Sequence, residues 1–291
     1  VPAGLTYQWV SEISRVLPDY SVLVIGRKRW KITRGPNKGE YREKADDGEE
    51  RERKWTEFQA GLWDIAVLSD SALGSTKVNE AAVAEYVRHR TGIMRSIRLS
   101  QAAAKGKKAE KRSERQRTLL EKGALAWVED MLERSRPYDP GVAWDDLGID
   151  FLVFDELGLY RNTFKPSERE FGVPMYMGSP GEPAKRAWQA DFRAAVVRRN
   201  TGGRGILGLT GTLGENSPLE IYNAFHLIDP TIFEKVGITD PEQWLDRYLD
   251  IDTRAVVKVT GEHALARAVV GFRNLVELRE FLFRWGNFVS A

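Results

Sequence analysis

Two adjacent carboxylates end an apolar run in the sequence FLVFDELGLYRN, residues 151–162. Four apolar residues lead directly into Asp155 and Glu156, and charges beside a buried segment either face water or hold a cation. At the tip of a parallel strand, an aspartate can bind Mg²⁺ directly or through water, and a neighbouring glutamate can orient the water that attacks a phosphate. The pair therefore predicts phosphate chemistry. The alternative is a solvent-exposed strand end, which would carry the same residues.

A second polar turn follows a later apolar run. Thr210, Gly211 and Thr212 come directly after the segment GILGL. The glycine allows a tight backbone turn, and the flanking hydroxyls can hydrogen-bond acids and respond to a phosphate. A plain β-turn would look the same, but the two turns together are more informative than either one alone.

Apolar segments alternate with helical patterns along the chain, which predicts an α/β fold. The strand candidates are residues 21–26, 63–73, 151–156 and 205–212. Near-continuous apolar strands are typical of a parallel sheet with helices on both faces, where ligands bind outside the carboxyl ends of the strands. Both polar turns fall at such ends.

Two insertions interrupt this pattern. Residues 27–58 are highly charged and are predicted to form a hairpin followed by a helix from about Gly48. Residues 77–135 are predicted to form a helical arm, in which segment 95–122 carries ten Lys and Arg against three Glu. Such a basic stripe can neutralise phosphates, and the alternative is a helix face that points to water. After Pro230 the chain is predicted to be helical again.

Composition narrows the classes of function. The chain of 291 residues has no Cys, which excludes disulfides and thiolate metal sites, and its three His are far apart, which disfavours a histidine metal site. No apolar run has the length of a membrane span, so we expect no membrane partner and a cytoplasmic location. The first residue is Val1 rather than Met, which indicates a fragment or a processed product.

In order and spacing, the motifs resemble those of the Swi/Snf-like branch of superfamily 2 helicases. The similar segments are VPAGLTYQWVSEISRVLPDYSVLVIG (the motif Ia region), WDIAVLSDSAL (a T-S-Y-S-A-L-type motif), FDELGLYRN (motif II), LTGTLGENSPLEIYNAFHLIDP (motif III and its helix) and GFRNLVELREFLFRW (the exit from the first motor domain). Within the branch, the chain is most similar to large phage- and plasmid-borne helicases, some of which are joined to adenine-specific DNA methyltransferases.

This resemblance implies a partial RecA-like motor domain over residues 1–250, with its parallel sheet interrupted by the two insertions. Residues 251–291 would be a helical exit segment towards a second motor domain that lies outside this chain. The implied cofactors are ATP and Mg²⁺. The implied partners are double-stranded DNA, the second RecA-like domain and a fused or associated adenine methyltransferase.

The resemblance also implies roles for individual residues. Asp155 would anchor Mg²⁺ and Glu156 would polarise the attacking water. The turn of Thr210, Gly211 and Thr212 would couple the nucleotide to the DNA. The residues expected near the DNA backbone, where amides and hydroxyls bind phosphates without reading sequence, are Pro2, Ala3, Gly4, Ser69 and Ser71.

Three departures from the family pattern keep other functions open. Gly158 stands where motif II has His or Gln, and Leu213 stands where Pro usually follows Thr-Gly-Thr. The chain contains no Gly-x-x-x-x-Gly-Lys-Ser/Thr phosphate loop, which in the family precedes motif Ia. The alternatives are a nucleic-acid-binding or interaction module that has lost the motor activity, and a different nucleotide hydrolase built on the same sheet.

Overall fold

The computed structural model describes residues 1–90, 93–94, 124–134, 138–139, 141–166, 173–178, 183–257, 261 and 263–289. These residues form helices and short strands, which confirms the predicted α/β class. The chain divides into two compact units, each assembled from separate stretches. The first unit comprises Val1–Val83, Leu132–Glu156 and Gln189–Leu209, and the second comprises Ala84–Met131, Leu157–Trp188 and Thr210–Ala291.

The described elements follow one another along the chain as helices and strands. The helices are α1 (Thr6–Val16), α2 (Gly48–Gln59), α3 (Asp70–Leu73), α4 (Glu80–His89), α5 (Ala124–Leu132), α6 (Lys185–Asn200), α7 (Leu219–Ile228), α8 (Pro241–Tyr248) and α9 (Leu275–Trp285). The strands are β1 (Val22–Ile25), β2 (Arg27–Lys31), β3 (Tyr41–Ala45), β4 (Ile65–Leu68), β5 (Leu152–Phe154), β6 (Ile206–Gly208), β7 (Leu249–Val257) and β8 (His263–Phe272).

The four predicted core strands form, but they pair two by two. Strand β1 is parallel to β4, and β5 is parallel to β6. In the part of the chain that the structure describes, these pairs are separate two-stranded sheets, so the expected large RecA-like sheet is not present there. Joining the pairs into one sheet needs a strand that bonds to both free edges, and the described residues supply none. Val153 and Leu207, side by side on β5 and β6, are accordingly 37% and 43% exposed.

The first insertion has the predicted form of a hairpin followed by a helix. Strands β2 and β3 are antiparallel, and α2 begins at Gly48, where the carboxylate of Asp47 accepts a hydrogen bond from the N–H of Glu50 at 2.9 Å. A buried ion pair joins this helix to the base of the hairpin, with Lys54 Nζ 2.8 Å from Asp46 Oδ2. Polar burial of this kind is tolerated because both charges are paired.

Strands β7 and β8 pair antiparallel, so the prediction of a helical chain after Pro230 is wrong for residues 249–257 and 263–272. The pairing runs from Leu249 and Phe272 to Val257 and His263. Strand β7 has four β-branched residues among nine, which favour a pleated surface over a helix, whereas β8 has only two among ten. Within segment 251–291 the helical prediction is confirmed for α9.

The basic segment 95–122 lies outside the described residues. The flanking parts of the predicted arm are helical, as α4 and α5. No helix in the described ranges is both long enough and apolar enough to cross a membrane.

Each unit has its own aromatic core. In the first unit, the rings of Trp55 and Trp144 meet edge to face at 6.2 Å, and the guanidinium of buried Arg193 lies over Trp144. The second unit has a larger cluster, whose members include Phe164, Trp188, Tyr222, His226, Phe233, Trp244 and Phe281. Burying rings of this size is the main apolar contribution to each core.

Close packing at Gly26 yields a stability prediction. Gly26 has a φ of +97°, and a Cβ there would lie 2.3 Å from Ser69 Oγ and 2.7 Å from Ala72 Cβ. We expect Gly26→Ala to lower the free energy of unfolding by about 3 kcal/mol, because it adds a clash to an unfavourable φ. Gly39→Ala is the matched control, since Gly39 has a φ of +99° and open space around it. It should cost only about 1 kcal/mol in urea unfolding, and equal losses would contradict the packing argument.

Candidate functional site

The two carboxylates lie where the chain leaves strand β5, in the first unit. The N–H of Leu209 donates to the C=O of Phe154 at 2.8 Å, so pairing with β6 continues up to the residue before Asp155. Asp155 is half-buried, and Glu156 is exposed. Both acids are thus presented at the carboxyl end of a parallel strand, which is where ligands bind in sheets of this kind.

The backbone of Glu156 is in the left-handed region, with a φ of +54°. A side-chain-bearing residue in this region is less stable than glycine by about 1–2 kcal/mol. Backbone strain of this kind concentrates at functional sites, where the rest of the structure maintains it. The strained turn therefore supports a functional rather than a structural reason for a carboxylate at this position.

Trp9 orients the neighbouring carboxylate. The indole N–H of Trp9, on helix α1, donates to Asp155 Oδ2 at 2.7 Å, although the two residues are 146 positions apart. The donor is neutral, so it fixes the orientation of the carboxylate without cancelling its charge. The only signal for the role of Trp9 was its place in the Gln-Trp pair of the motif Ia region.

Asp155 can hold Mg²⁺ in the mode that phosphoryl-transfer sites use. Among the described residues, no group of three or more His, Asp or Glu side chains is placed to hold a metal ion. Mg²⁺ does not need such a cage, because it keeps several waters and binds through one or two carboxylates plus substrate phosphates. With Trp9 bound to Oδ2, the other oxygen of Asp155 accepts no hydrogen bond from the described part of the chain. The residue therefore fits this role.

The two segments expected near DNA meet in the first unit. The N–H of Asp70 donates to the C=O of Val1 at 2.9 Å, which joins residues 1–4 to residues 69–71. Pro2 and Ala3 are half-buried, and Gly4 and Ser71 are exposed. Ser69 is only 1% exposed, and its hydroxyl lies 3.2 Å from that of Ser71. Ser71 and the main chain at Gly4 are therefore the groups that a phosphate could reach directly in this arrangement, with Ser69 supporting Ser71.

The Thr-Gly-Thr turn belongs to the second unit. The hydroxyl of Thr210 donates to the C=O of Thr212 at 2.8 Å and accepts its N–H at 3.2 Å. Gly211 and Thr212 are exposed. The turn is therefore closed on itself by a side-chain hydroxyl, as the residue types predict.

Arg161 connects the loop after motif II to the segment after this turn, within the second unit. Its Nη2 donates to Glu215 at 2.5 Å, and its Nε lies 3.2 Å from Glu220. Hydrogen bonds from Arg161 and then Thr212 lower the pKa of Glu215. The structure therefore places Arg161 in ion pairs, with only 11% of the arginine side chain exposed.

Asn223 makes the same connection through the backbone. Its amide donates to the C=O groups of Arg161 at 2.8 Å and Phe164 at 2.9 Å, and its oxygen accepts the N–H of Phe164 at 3.1 Å. The residue is 1% exposed. Sequence reasoning missed both Asn223 and Glu220, and the available signal was their polarity within the otherwise apolar helix LEIYNAFHLI.

The departure at Gly158 leaves space beside Arg161. A Cβ at position 158 would lie 3.4 Å from Arg161 Nη1, a nitrogen that is buried without a hydrogen-bond partner in the described residues. A side chain with an acceptor at this position would therefore face an unsatisfied donor. The glycine removes one connection that the family pattern would provide.

The Asn223 connection yields a second prediction. We expect Asn223→Ala to lower the free energy of unfolding by about 3 kcal/mol, because it leaves buried backbone groups of Arg161 and Phe164 unsatisfied. The exposed side chain of Asn216 makes no hydrogen bond in the described ranges. Asn216→Ala is therefore the control and should change stability by less than about 0.5 kcal/mol. Similar values for the two variants in urea unfolding would show that Asn223 does not hold the loop.

Comparison with known proteins gives one partial relative. The chain is 31% identical, over 149 residues, to Defense against restriction protein B of Escherichia phage P1. The match covers 51% of this chain and 6% of the phage protein, so the chain spans only a small part of that relative. No protein-family model matches the chain. A search of solved structures finds no match either.

Proposed function

We propose that this chain is part of a DNA-dependent ATPase of the Swi/Snf-like superfamily 2 type, and that it contributes most of the first RecA-like motor domain. The intact protein would couple hydrolysis of Mg²⁺-bound ATP to translocation on DNA or to its remodelling. The observation that carries the proposal is the Asp155 carboxylate at the end of a parallel strand, oriented by Trp9 and followed by a strained glutamate.

The proposed site assigns separate roles to the two acids. Asp155 would bind Mg²⁺ through the oxygen that Trp9 leaves free, and Glu156 would orient the attacking water. Bound Mg²⁺ would neutralise the charge that develops on the phosphates. Arg161, Glu220 and Asn223 would then link the loop after the acids to the segment after Thr-Gly-Thr.

DNA is the proposed polymer along which the motor works. Residues 2–4 and 69–71 supply exposed main chain and the Ser71 hydroxyl, which suit phosphates rather than base edges. The name of the phage relative refers to restriction, a process that acts on DNA. The same proposal includes a cytoplasmic location, a second RecA-like domain elsewhere in the polypeptide and a fused or associated adenine methyltransferase.

A non-catalytic nucleic-acid-binding module is the second candidate. Gly158, which stands where motif II has His or Gln, favours it. The positive φ of Glu156 counts against a purely structural role for this turn, because backbone strain concentrates at functional sites. The following experiments separate the two candidates.

In the longer natural polypeptide, we expect Asp155→Asn and Glu156→Gln each to lower DNA-stimulated ATP hydrolysis at least about 100-fold, because each removes a group that acts on the reacting phosphate. Steady-state phosphate release is the measurement. Asp150→Asn is the matched control, since Asp150 is an exposed acid just before the same strand. No DNA-stimulated ATP hydrolysis by the unchanged protein would favour the binding module, and full activity in both variants would show that hydrolysis uses other residues.

The 291-residue chain alone should not hydrolyse ATP, because its sequence has no phosphate loop and no second motor domain. Phosphate release measured with Mg²⁺ and DNA should equal that of a reaction without protein. Sustained turnover that disappears in the Asp155→Asn variant would show that the chain carries a complete site.

A further inference from the structure

The β2–β3 hairpin is strongly basic. Residues 27–44 contain eight Lys and Arg against two Glu. In an antiparallel pair, directly opposed residues project from the same face, and the faces alternate along each strand. The observed register therefore divides the hairpin side chains into two sets. One set is Arg27, Arg29, Lys31, Tyr41, Glu43 and Ala45, and the other is Lys28, Trp30, Arg42 and Lys44.

The first set is largely neutralised within the protein. Glu43 lies 3.8 Å from both Arg27 and Arg29. The guanidinium of Arg29 also lies over the rings of Tyr7 and Tyr41, at 5.2 and 4.1 Å. These contacts give the arginines of this face a structural role.

We call the second set the basic face. Among the described residues, its cations Arg42 and Lys44 lack the ion pairs and ring contacts that account for the arginines of the first set. Lys28 stands directly opposite Lys44, and Trp30 stands opposite Arg42, with no acid in either pair. Like charges directly opposed across a ladder destabilise a hairpin. Arg42 and Lys44 are exposed and form no ion pair with the described residues, while Lys28 lies 3.7 Å from Asp47 at the edge of the face.

The aromatic residue on this face is exposed as well. Trp30 is 44% exposed, with Arg42 opposite it and Lys28 two residues before it. The next pair along the face is Ile32 and Glu40. Cations side by side with an exposed aromatic ring form the combination with which proteins hold a nucleic-acid strand. The cations release counterions from phosphates, and the ring stacks on a base.

We propose that the basic face binds a nucleic-acid strand, with Lys28, Arg42 and Lys44 against the phosphates and Trp30 stacked on an unpaired base. The basic face includes none of the acids of β5 and none of residues 2–4 and 69–71. The base of the hairpin nevertheless reaches residue 3, where Arg27 donates to the C=O of Ala3 at 2.7 Å. The inference does not rest on ATP hydrolysis, because it follows from the charge and exposure of the hairpin alone.

The phosphate contacts can be tested with the purified chain and a fluorescent single-stranded DNA of mixed sequence. We expect the double variant Arg42→Gln/Lys44→Gln to weaken binding about tenfold at low salt. It should also reduce the slope of log affinity against log salt by about 1.4, since each phosphate contact on a single strand contributes about 0.7. The matched control is Lys31→Gln/Lys38→Gln, which removes the same charge from exposed positions outside the basic face, and it should change affinity less than twofold.

The stacking contact has its own readout. Trp30→Ala should weaken binding of single-stranded DNA at least about fivefold, because stacking of one base is lost. The affinity for a duplex of the same length should change less than twofold, since paired bases offer no free face. Circular dichroism would verify that the exposed substitutions leave the fold unchanged.

Three results would overturn the proposal. The first is no measurable DNA binding by the chain, and the second is an equal loss of DNA affinity in the test and control double variants. The third is a double variant that loses affinity for vesicles containing phosphatidylserine but keeps its affinity for DNA, which would indicate a membrane surface instead. If the protein hydrolyses no ATP but binds DNA through the basic face, only the proposed motor function is refuted. An active ATPase whose DNA binding is unchanged by the substitutions on the basic face would refute only this inference.

Discussion

The indole of Trp9 and the carboxylate of Asp155 join the two parallel strand pairs of the first unit. Trp9 lies on α1, which packs against β1 and β4, whereas Asp155 ends β5. A hydrogen bond to a charged acceptor contributes about 1.5–3 kcal/mol, and this one also sets the direction of the carboxylate. The orientation of the catalytic candidate therefore depends on a helix far away in sequence, and so does the position of residues 2–4, which immediately precede that helix.

The second unit has a different organising network. Arg161, Glu220 and Asn223 join the loop after motif II to the segment after Thr-Gly-Thr through charged and backbone hydrogen bonds. Because these groups are buried, moving one side without the other would leave polar atoms unsatisfied. In the proposed motor, this network would couple nucleotide state to DNA, although Gly158 leaves the Nη1 of Arg161 without an acceptor in the described residues.

Local chemistry was predictable from the sequence, and long-range contacts were not. The strand before Asp155 and the helix from Gly48 follow from apolar runs and turn residues, and both are present. The β7–β8 pairing was missed because only six of the nineteen strand residues are β-branched, and half of β8 is Ala, Leu or Arg, which favour helices. The hydrogen bond of Trp9 could not be foreseen, since helical periodicity gives the face of a residue but not its partner. The burial of Ser69 likewise results from a tertiary contact with Gly26.

The most direct test of the account is a crystal structure of the proposed two-domain motor protein with Mg²⁺ and a non-hydrolysable ATP analogue. The account predicts a metal ion bound to the Asp155 carboxylate, directly or through one water, with Trp9 still donating to the other oxygen and Glu156 facing the terminal phosphate. A nucleotide bound elsewhere, or an Asp155 that contacts neither the metal nor its waters, would contradict the assignment of this strand end as a nucleotide site.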